Sequence, residues 1–288
     1  MTVPTQFLSE IIALFGSPVA ENPTQYMQEE AFRAAGLDFR YVTLEVRADQ
    51  LAGAVQGMRA MNFTGANCTI PHKVAVLPLL DSLTEAAERI GAVNTIARQS
   101  DGSLLGENTD GKGFIRAARE SGRDLAGGRA LLLGAGGAAR AIAIELALAG
   151  ASEILIANRT PARGEELVQR ILERTAARSA FIPWEATLRI PDGIDFVVNA
   201  TSIGLYPDVE AIPNVDFTTI QPQQLACDVI PNPPRTPFLR AAEERGATTL
   251  DGLGMLVYQG AIAFMLWTGH EADVEVMRRA LERVFAAA

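Results

Sequence analysis

A glycine-rich turn between an apolar segment and an alanine-rich segment is the feature that most constrains the fold. The run Leu131-Leu132-Leu133 leads directly into Gly134-Ala135-Gly136-Gly137-Ala138-Ala139. A strand–turn–helix passage is the context in which Gly-x-Gly-x-x-Ala binds the pyrophosphate of a dinucleotide. The first glycine permits a tight turn, the second lets the backbone approach a phosphate, and the helix N-terminus supplies N–H donors. The turn therefore predicts a dinucleotide site formed by Gly134, Ala135, Gly136, Gly137 and Ala138.

Alternating strand and helix patterns continue on both sides of this turn. Downstream, apolar runs predict strands at 129–133, 153–157, 196–199 and 225–228. Helical patterns lie between and after them, at 138–148, 162–175 and 237–245. Upstream, strands are predicted near 11–15, 41–46 and 65–69, and Asp101-Gly102 predicts a hairpin turn. Such alternation is typical of parallel sheets with crossover helices, so the sequence predicts an α/β fold.

The residues that follow the strand 153–157 indicate which nicotinamide cofactor binds. An acidic residue there would hold the ribose 2′-hydroxyl of NAD, whereas this chain has Asn158-Arg159-Thr160 and then Arg163. Guanidinium groups bind phosphate through charge-assisted, bidentate hydrogen bonds. Basic side chains at a helix N-terminus also oppose the helix dipole, which calls for an anion nearby. The sequence therefore favours NADP, with NAD as the alternative because arginine can also stack on adenine.

Length and charge limit the classes of partner. The 288 residues suffice for one large domain or two ordinary ones. A formal charge of −9 and a pI near 4.9 argue against nucleic acid or an anionic membrane. The uncharged run from Gly252 to His270 contains Tyr258 and Gln259, so we expect a buried loop and helix rather than a membrane span.

Cysteine and histidine are scarce, and the N-terminus lacks the features of a signal peptide. Cys68 and Cys227 lie far apart, which is typical of a protein in a reducing cytoplasm. His72 and His270 do not have the spacing of metal ligands, so we predict no metal site.

Two further segments each place one ionisable side chain among amides, hydroxyls and turn-forming residues. The first is Asn67-Cys68-Thr69-Ile70-Pro71-His72-Lys73, and the second is Asn108-Thr109-Asp110-Gly111. A positioned amine and carboxylate suit proton transfer to and from a small polyol. The alternative is an ordinary ion pair between a surface lysine and a helix-capping aspartate. The residues leave open which of Lys73 and Asp110 takes the proton.

Taken together, these motifs resemble the shikimate dehydrogenase and quinate-shikimate dehydrogenase family. The matching segments occur in the family's order over nearly the whole chain. They include Asn67 to Lys73, Gly91 to Thr95, Gly106 to Phe114, Gly134 to Ala139, Asn158 to Thr160, Asn199 to Gly204, Thr236 to Leu239 and Asp251 to Gln259. The resemblance implies NADP-dependent, reversible oxidation of the ring 3-hydroxyl of shikimate or a closely related alicyclic hydroxy acid.

The resemblance also implies a domain organisation and a set of roles. Residues 1–109 with 253–288 would form an α/β substrate domain to which the C-terminal helices return, and 110–252 a Rossmann-type doubly wound domain. Lys73 and Asp110 match the family's catalytic pair. The residues expected to hold ring hydroxyls are Asn67, Asn94 and Gln259, with Thr69 close by. The residues expected near the nicotinamide are Asn199, Thr201 and Met255.

The chain departs from the family pattern where the substrate carboxylate would bind. Family members carry Gly-x-Pro-(Val/Ile)-x-His-Ser-x-Ser-Pro, with two serines that hold this carboxylate. Here the segment is Gly16-Ser17-Pro18-Val19-Ala20-Glu21-Asn22-Pro23, and neither serine is in place. Asn22 or Thr24 could donate hydrogen bonds instead. A family tyrosine in Asp-x-x-Tyr is also replaced, by Pro231.

These losses indicate a divergent member and leave alternatives to the main prediction. One is a quinate dehydrogenase, or a dehydrogenase of an amino or neutral cyclitol that uses NAD. Another is a nucleotide-binding sensor that has lost turnover. We expect a small-molecule substrate and a monomer or homodimer.

Overall fold

The computed structural model describes residues 8–287, which form two compact units. The first unit contains the described residues up to Asn108 together with those from Gly260 onward, and the second comprises Thr109–Gln259. The division from the sequence differs in placing residue 109 and residues 253–259 with the first unit. These residues belong to one long helix that contributes to both units, so that boundary stays a prediction.

A six-stranded mixed sheet forms the centre of the first unit. Its strands are β1 (Glu10–Gly16), β2 (Phe39–Glu45), β3 (Gly65–Cys68), β4 (Ser82–Leu83), β5 (Thr95–Arg98) and β6 (Leu104–Glu107). The spatial order is β2-β1-β3-β5-β6-β4, with β1 parallel to β2 and β3, and β5 antiparallel to β3 and β6. The predicted hairpin is thereby confirmed as β5 and β6, and Gly102 has the left-handed φ of +87° that this turn requires.

The helices of the first unit cover this sheet. They include α1 (Thr24–Ala34), α2 (Leu51–Ala60), α3 (His72–Ala75) and α4 (Glu85–Ile90). Helix α2 presents Leu51, Val55 and Met58 at helical spacing to a core that also contains Ala66. Because successive strand residues point to opposite faces, Asn67 projects to the other side of the sheet.

The second unit contains a fully parallel, six-stranded sheet. Its strands are β7 (Arg129–Leu133), β8 (Glu153–Asn158), β9 (Arg178–Pro183), β11 (Phe196–Asn199), β13 (Leu225–Asp228) and β14 (Thr248–Leu250). A separate two-stranded pair consists of β10 (Leu188–Arg189) and β12 (Val215–Asp216). The helices are α5 (Asp110–Glu120), α6 (Gly137–Leu148), α7 (Pro161–Arg174) and α8 (Pro237–Glu244).

The strand order β14-β13-β11-β7-β8-β9 is that of a doubly wound sheet, so the α/β and Rossmann-type predictions are confirmed. The sequence patterns missed β9 and β14, the two edge strands. Both are partly exposed, and β14 has only three residues, so neither gives a clear apolar run.

Two helices complete the described chain, α9 (Gly252–Thr268) and α10 (Val274–Ala287). In the first unit, Trp267 of α9 packs against Gly65, where an added Cβ would lie 2.2 Å from Trp267 Nε1. In the second, α9 packs against α5 at Gly113, where a Cβ would lie 2.7 Å from the Met255 carbonyl. Within residues 8–287, no helix combines the length and apolar character that crossing a bilayer requires.

Candidate functional site

The first unit brings the segment Asn67 to Lys73 next to the turn that follows β1. The Thr69 N–H donates to the Phe15 carbonyl at 2.9 Å. Glycine is needed beside it, because a Cβ on Gly16 would lie 2.4 Å from Thr69 Cγ2. The loop that carries Asn22 therefore starts alongside the segment that carries Thr69 and Lys73.

A second pair of bonds, at Ala92 and Val93, anchors the segments that carry Lys73 and Asn108. The Val93 N–H donates to the carbonyl of Lys73 at 2.7 Å. The adjacent carbonyl, that of Ala92, accepts from Asn108 Nδ2 at 3.1 Å. Asp110 follows Asn108 by two residues in the sequence. Two neighbouring backbone positions of the first unit thus bind the carbonyl of the half-buried Lys73 and the side chain of Asn108.

Asn67 and Asn94 belong to a buried hydrogen-bond cluster. Asn67 Nδ2 donates to the Asn94 carbonyl and to Thr95 Oγ1, both at 3.0 Å, and Asn67 Oδ1 accepts from the Tyr41 hydroxyl at 2.7 Å. Thr95 Oγ1 in turn donates to Asn94 Oδ1 at 3.2 Å. All four side chains are buried. Sequence reasoning missed Tyr41, because an aromatic residue in an alternating strand is normally assigned to the apolar core.

Two neighbours of Lys73 have structural roles. His72 is fully buried, and its Nε2 lies 2.6 Å from the Val46 carbonyl. Burial raises the pKa of the Cys68 thiol to about 12, even though the Lys73 charge acts to lower it. The thiol therefore stays protonated at neutral pH and lacks the thiolate that a nucleophile needs.

In the second unit, Asp110 and Gln259 lie where α5 meets α9. Asp110 is buried and is the first residue of α5. The preceding residue, Thr109, donates from Oγ1 to Gln259 Oε1 at 3.4 Å, and Gln259 Nε2 donates to the Leu256 carbonyl at 3.0 Å. Met255, which is also buried, lies at this same crossing, where Gly113 permits close approach.

The glycine-rich turn has the geometry that a pyrophosphate needs. Gly134 has φ +106°, and a Cβ there would lie 3.1 Å from the Ala200 carbonyl oxygen, so a side chain would be strained and crowded. Gly136 has an extended backbone and is the N-cap of α6, with no side-chain hydrogen bond to cap the helix. A Cβ on Gly136 would meet nothing within 4 Å. Open space therefore lies over a helix N-terminus that side chains leave uncapped, which fits an anionic group.

The predicted 2′-phosphate residues follow β8. Arg159 and Arg163 are both exposed, and among residues 8–287 neither guanidinium pairs with a carboxylate. Helix α7 also has no acidic residue in its first turn. Asn158 Nδ2 donates to the Thr160 carbonyl at 2.9 Å, so the Asn158 side chain shapes the turn that presents the two arginines.

Asn199 and Thr201 are joined to a buried carboxylate that sequence reasoning missed. Thr201 Oγ1 donates to Asn199 Oδ1 at 2.6 Å, and Asn199 Nδ2 donates to Asp228 Oδ2 at 3.1 Å. Thr236 Oγ1 donates to the same Asp228 oxygen at 2.7 Å. Burial raises the pKa of Asp228 to about 6, although the hydrogen bonds from Thr236 and Asn199 lower it. An acidic residue at the end of an apolar strand was the available signal, since such a group must find donors.

The segment that lacks the serine pair carries no cationic side chain. Residues 8–32 contain no lysine, arginine or histidine. Asn22 is half-buried, and its Oδ1 accepts from the Thr24 N–H at 3.0 Å, which helps to start α1. Glu21 is exposed, and Ser17 Oγ donates to Glu45 at 3.2 Å.

Three family models match the chain. They are described as the shikimate dehydrogenase substrate binding domain (residues 14–96), shikimate / quinate 5-dehydrogenase (116–205) and the shikimate 5'-dehydrogenase C-terminal domain (252–282). A protein of Desulforamulus reducens named shikimate dehydrogenase (NADP(+)) is 46% identical over 282 residues, which cover 96% of each chain.

Solved structures are similar over nearly the full length. The ligand-free 5-ketofructose reductase of Gluconobacter sp. strain CHM43 has a TM-score of 0.91 and 47% identity, and the match covers 97% of this chain and 100% of that one. The shikimate 5-dehydrogenase of Listeria monocytogenes, in complex with shikimate and NAD, has a TM-score of 0.90 and 36% identity, with 98% and 99% covered.

Proposed function

Because this chain belongs to the shikimate dehydrogenase family, we propose that it catalyses NADP-dependent, reversible oxidation of shikimate or a closely related alicyclic hydroxy acid. It is an NAD(P)-dependent oxidoreductase of that family. The proposal is supported by the relative of Desulforamulus reducens, which is named for shikimate and NADP.

Lys73 and Asp110 carry the proton transfer in this proposal. Oxidising an alcohol removes a hydride from carbon and a proton from oxygen, so a positioned base has to take that proton. The nicotinamide, when bound, supplies the hydride acceptor or donor. The observation that carries the proposal is the pair of anchors at Val93 and Ala92, which bind the Lys73 carbonyl and the Asn108 side chain.

The turn and the two arginines of the second unit favour NADP in this proposal. The N–H groups at the start of α6 would bind the pyrophosphate, over the open space at Gly136. Arg159 and Arg163 would bind the 2′-phosphate, a role that suits two exposed guanidinium groups without a carboxylate partner among residues 8–287. Asn199, Thr201 and Met255 would lie by the nicotinamide. NAD remains the alternative cofactor.

Steady-state kinetics of alanine variants tests the catalytic assignment. We expect Lys73→Ala and Asp110→Ala to lower kcat by about 10²- to 10⁴-fold, because each removes one member of the proton-transfer pair. The kcat of the double variant should be only slightly lower than that of the less active single variant, because the effects of residues that act as a unit are not additive. The chain's other lysine gives the control: Lys112→Ala should keep the wild-type kcat.

Two outcomes would reject parts of this assignment. If the kcat of each single variant lies within about threefold of the wild-type kcat, the pair has no catalytic role. A wild-type protein that binds NADPH tightly but turns over no member of a cyclitol and keto-acid panel would favour the nucleotide-binding sensor.

A second candidate function is reduction of a polyhydroxy ketone that has no carboxylate. The observation that favours it is the segment from Gly16 to Thr24, which lacks both serines and any cation. Glu21 would repel a carboxylate that approached it. The similar structure from Gluconobacter is described as a 5-ketofructose reductase, and its name denotes a ketose rather than an acid.

Matched substrates separate the two candidates. Initial rates with NADPH should be compared for 3-dehydroshikimate, for its carboxamide and for 5-ketofructose, and the same panel repeated with NADH. The shikimate assignment predicts the largest kcat/KM for the acid, and the neutral-substrate assignment predicts it for a substrate without the carboxylate.

A variant with the two hydroxyls restored sharpens this test. Counting from Gly16, the family's serines fall at positions 22 and 24, so Asn22→Ser with Thr24→Ser supplies both. If the neutral assignment holds, this variant should improve kcat/KM for the acid by about 5- to 30-fold through new hydrogen bonds to the carboxylate. It should leave 5-ketofructose unimproved.

The remaining aspects of the proposal concern setting and assembly. Cys68 and Cys227 are both free and buried, which suits a reducing compartment, and we place the enzyme in the cytoplasm. We propose that it works there as a monomer or homodimer on a small-molecule substrate.

A further inference from the structure

We infer that Tyr41 is a positioning residue for the substrate, acting through a buried hydrogen-bond chain. This chain runs from the Tyr41 hydroxyl through Asn67 and Thr95 to Asn94. Its effect is to turn the Asn94 amide so that its N–H groups, and not its oxygen, are presented to a substrate hydroxyl. The inference rests on the proposed function for the role of Asn94 and extends it to a residue outside the recognised motifs.

Sheet register places these residues on one face. Tyr41 on β2 and Gly65 on β3 both pair with Ile12 on β1, and Asn67 on β3 pairs with Thr95 on β5. Strand residues two positions apart share a face, so Gly65 and Asn67 point the same way as Tyr41. The missing side chain at Gly65 makes room for Trp267, whose ring lies 6.1 Å from that of Tyr41.

Every bond in the chain has a donor and an acceptor, and the acceptor-only Asn94 carbonyl fixes the orientation of the Asn67 amide. A tyrosine hydroxyl has one proton, and Tyr41 gives it to the oxygen of Asn67 at 2.7 Å. The amide nitrogen of Asn67 then donates its two protons to the Asn94 carbonyl and to Thr95 Oγ1. Thr95 Oγ1 donates its own single proton to Asn94 Oδ1 at 3.2 Å.

The last bond of this hydrogen-bond chain determines which side of the Asn94 amide can face a substrate. Its side-chain oxygen is engaged by Thr95, so its amide nitrogen faces the other way. The backbone is fixed too, because the Asn94 carbonyl accepts from the Cys68 N–H at 2.8 Å and from Asn67. An asparagine held at three points cannot exchange its oxygen and nitrogen without breaking the chain.

The same count changes the role expected of Asn67. Both of its N–H groups are used inside the protein, and its oxygen already accepts from Tyr41. Asn67 therefore has at most one oxygen lone pair to give to a substrate, and its main role is to transmit the orientation set by Tyr41.

Tyr41 is well suited to hold this orientation. It is 1% exposed, and its backbone N–H donates to Glu29 Oε1 at 2.6 Å, which secures the strand at this residue. Burial raises the pKa of its hydroxyl well above the ordinary value, so the group remains a donor throughout the working pH range.

Kinetics of Tyr41→Phe tests the inference. Losing the hydroxyl frees the Asn67 and Asn94 amides to reorient, so we expect KM for the ring ketone to rise about 5- to 30-fold. The kcat should stay within about twofold and KM for NADPH should not change, because neither Lys73 nor the nucleotide turn is touched. Thr95→Val should reproduce this effect despite its similar shape, and Thr95→Ser, which keeps the proton, should restore wild-type KM.

Trp267→Phe is the matched control. It removes a buried donor on the same face, the Trp267 Nε1–H that binds the Ile96 carbonyl at 2.9 Å, but it lies outside the chain. It should lower thermal stability to a similar degree as Tyr41→Phe and leave KM unchanged. Equal effects of Tyr41→Phe and Trp267→Phe on KM would overturn the inference.

A measurement that needs no turnover separates failure of the inference from failure of the proposed function. Side-chain amide NMR signals of Asn67 and Asn94, assigned with Asn→Asp variants, report the orientation directly. The inference predicts that Tyr41→Phe shifts both signals and that Trp267→Phe shifts neither. An Asn94 signal that is unchanged in Tyr41→Phe would overturn the inference even if the enzyme were inactive on every substrate. If Tyr41→Phe does not fold, Thr95→Val and Thr95→Ser carry the same comparison.

Discussion

The predicted hydroxyl-binding amides of the first unit and the predicted phosphate-binding groups of the second unit are held in opposite ways. In the first unit, Asn67 and Asn94 are buried, and other side chains of the protein orient them. In the second, Gly136 and the guanidinium groups of Arg159 and Arg163 are exposed to solvent. Buried polar groups must be satisfied by the protein itself, whereas exposed ones are satisfied by water until a ligand arrives. Substitutions should therefore cost stability in the first unit and affinity in the second.

The largest expected effect is a loss of affinity at the nucleotide turn. In Gly136→Val, the new side chain would occupy the space over the α6 N-terminus and displace the phosphate from at least two N–H groups. We expect NADPH to bind about 100-fold more weakly or worse, with an unchanged melting temperature. Titration of NADPH fluorescence measures this. Gly53→Val, another site with open space around its Cβ, should bind NADPH normally.

The first unit should respond in the opposite way. Asn67→Ala removes a hydrogen-bond partner of the Tyr41 hydroxyl, of the Asn94 carbonyl and of Thr95 Oγ1. These three groups stay buried in the variant, but each has lost its bond to Asn67. We expect the free energy of unfolding to fall by about 3 kcal/mol in urea titrations. NADPH affinity should not change. A stability loss no larger than that of the exposed control Gln169→Ala would break the contrast between the units.

Removing the two arginines should weaken one cofactor selectively. We expect Arg159→Ala with Arg163→Ala to raise KM for NADPH about 10- to 50-fold, since charge-assisted bonds to the 2′-phosphate are lost. KM for NADH should change less than about twofold, because NADH lacks that phosphate. Arg189→Ala, at an exposed arginine elsewhere in the unit, is the control. An equal rise in KM for NADPH and for NADH would show that these arginines do not bind the 2′-phosphate.

Asp228 is a carboxylate of the second unit that is buried as the first unit's polar groups are. Its pKa in the folded chain, about 6, lies above the ordinary value of 3.8. The stability that this shift contributes is therefore fully present below pH 3.8 and is lost as the pH rises through about 6. Relative to Asp228→Asn, wild type should lose roughly 2 kcal/mol of unfolding free energy across this window. Asp192→Asn, which removes an exposed charge, should show no such difference, and a parallel pH dependence of Asp228→Asn and wild type would refute the burial effect.

The contrast between the units also explains which structural features could be predicted from the sequence. The glycine-rich turn and the helix that follows it could be predicted from the sequence, because Gly134 to Ala139 form a contiguous motif that depends on local backbone geometry. The parallel sheet followed from regular strand–helix alternation, and only the short or half-exposed edge strands β9 and β14 escaped.

The polar interior was less accessible to sequence reasoning. The donor to the Asn67 side-chain oxygen is Tyr41, on a different strand and 26 residues away. The partner of Asn199 is Asp228, on the neighbouring strand β13. Neither pairing leaves a local pattern, because each depends on strand register, which the folded sheet sets.

Single-turnover reduction of the ring ketone tests the proposed proton-transfer pair most directly, since it observes chemistry without product release. Enzyme loaded with NADPH is mixed with excess ketone, and NADPH oxidation is followed for wild type and Lys73→Ala. We expect a single-turnover rate that is about 100-fold slower in the variant, at unchanged NADPH affinity. Equal rates in the two proteins would contradict it.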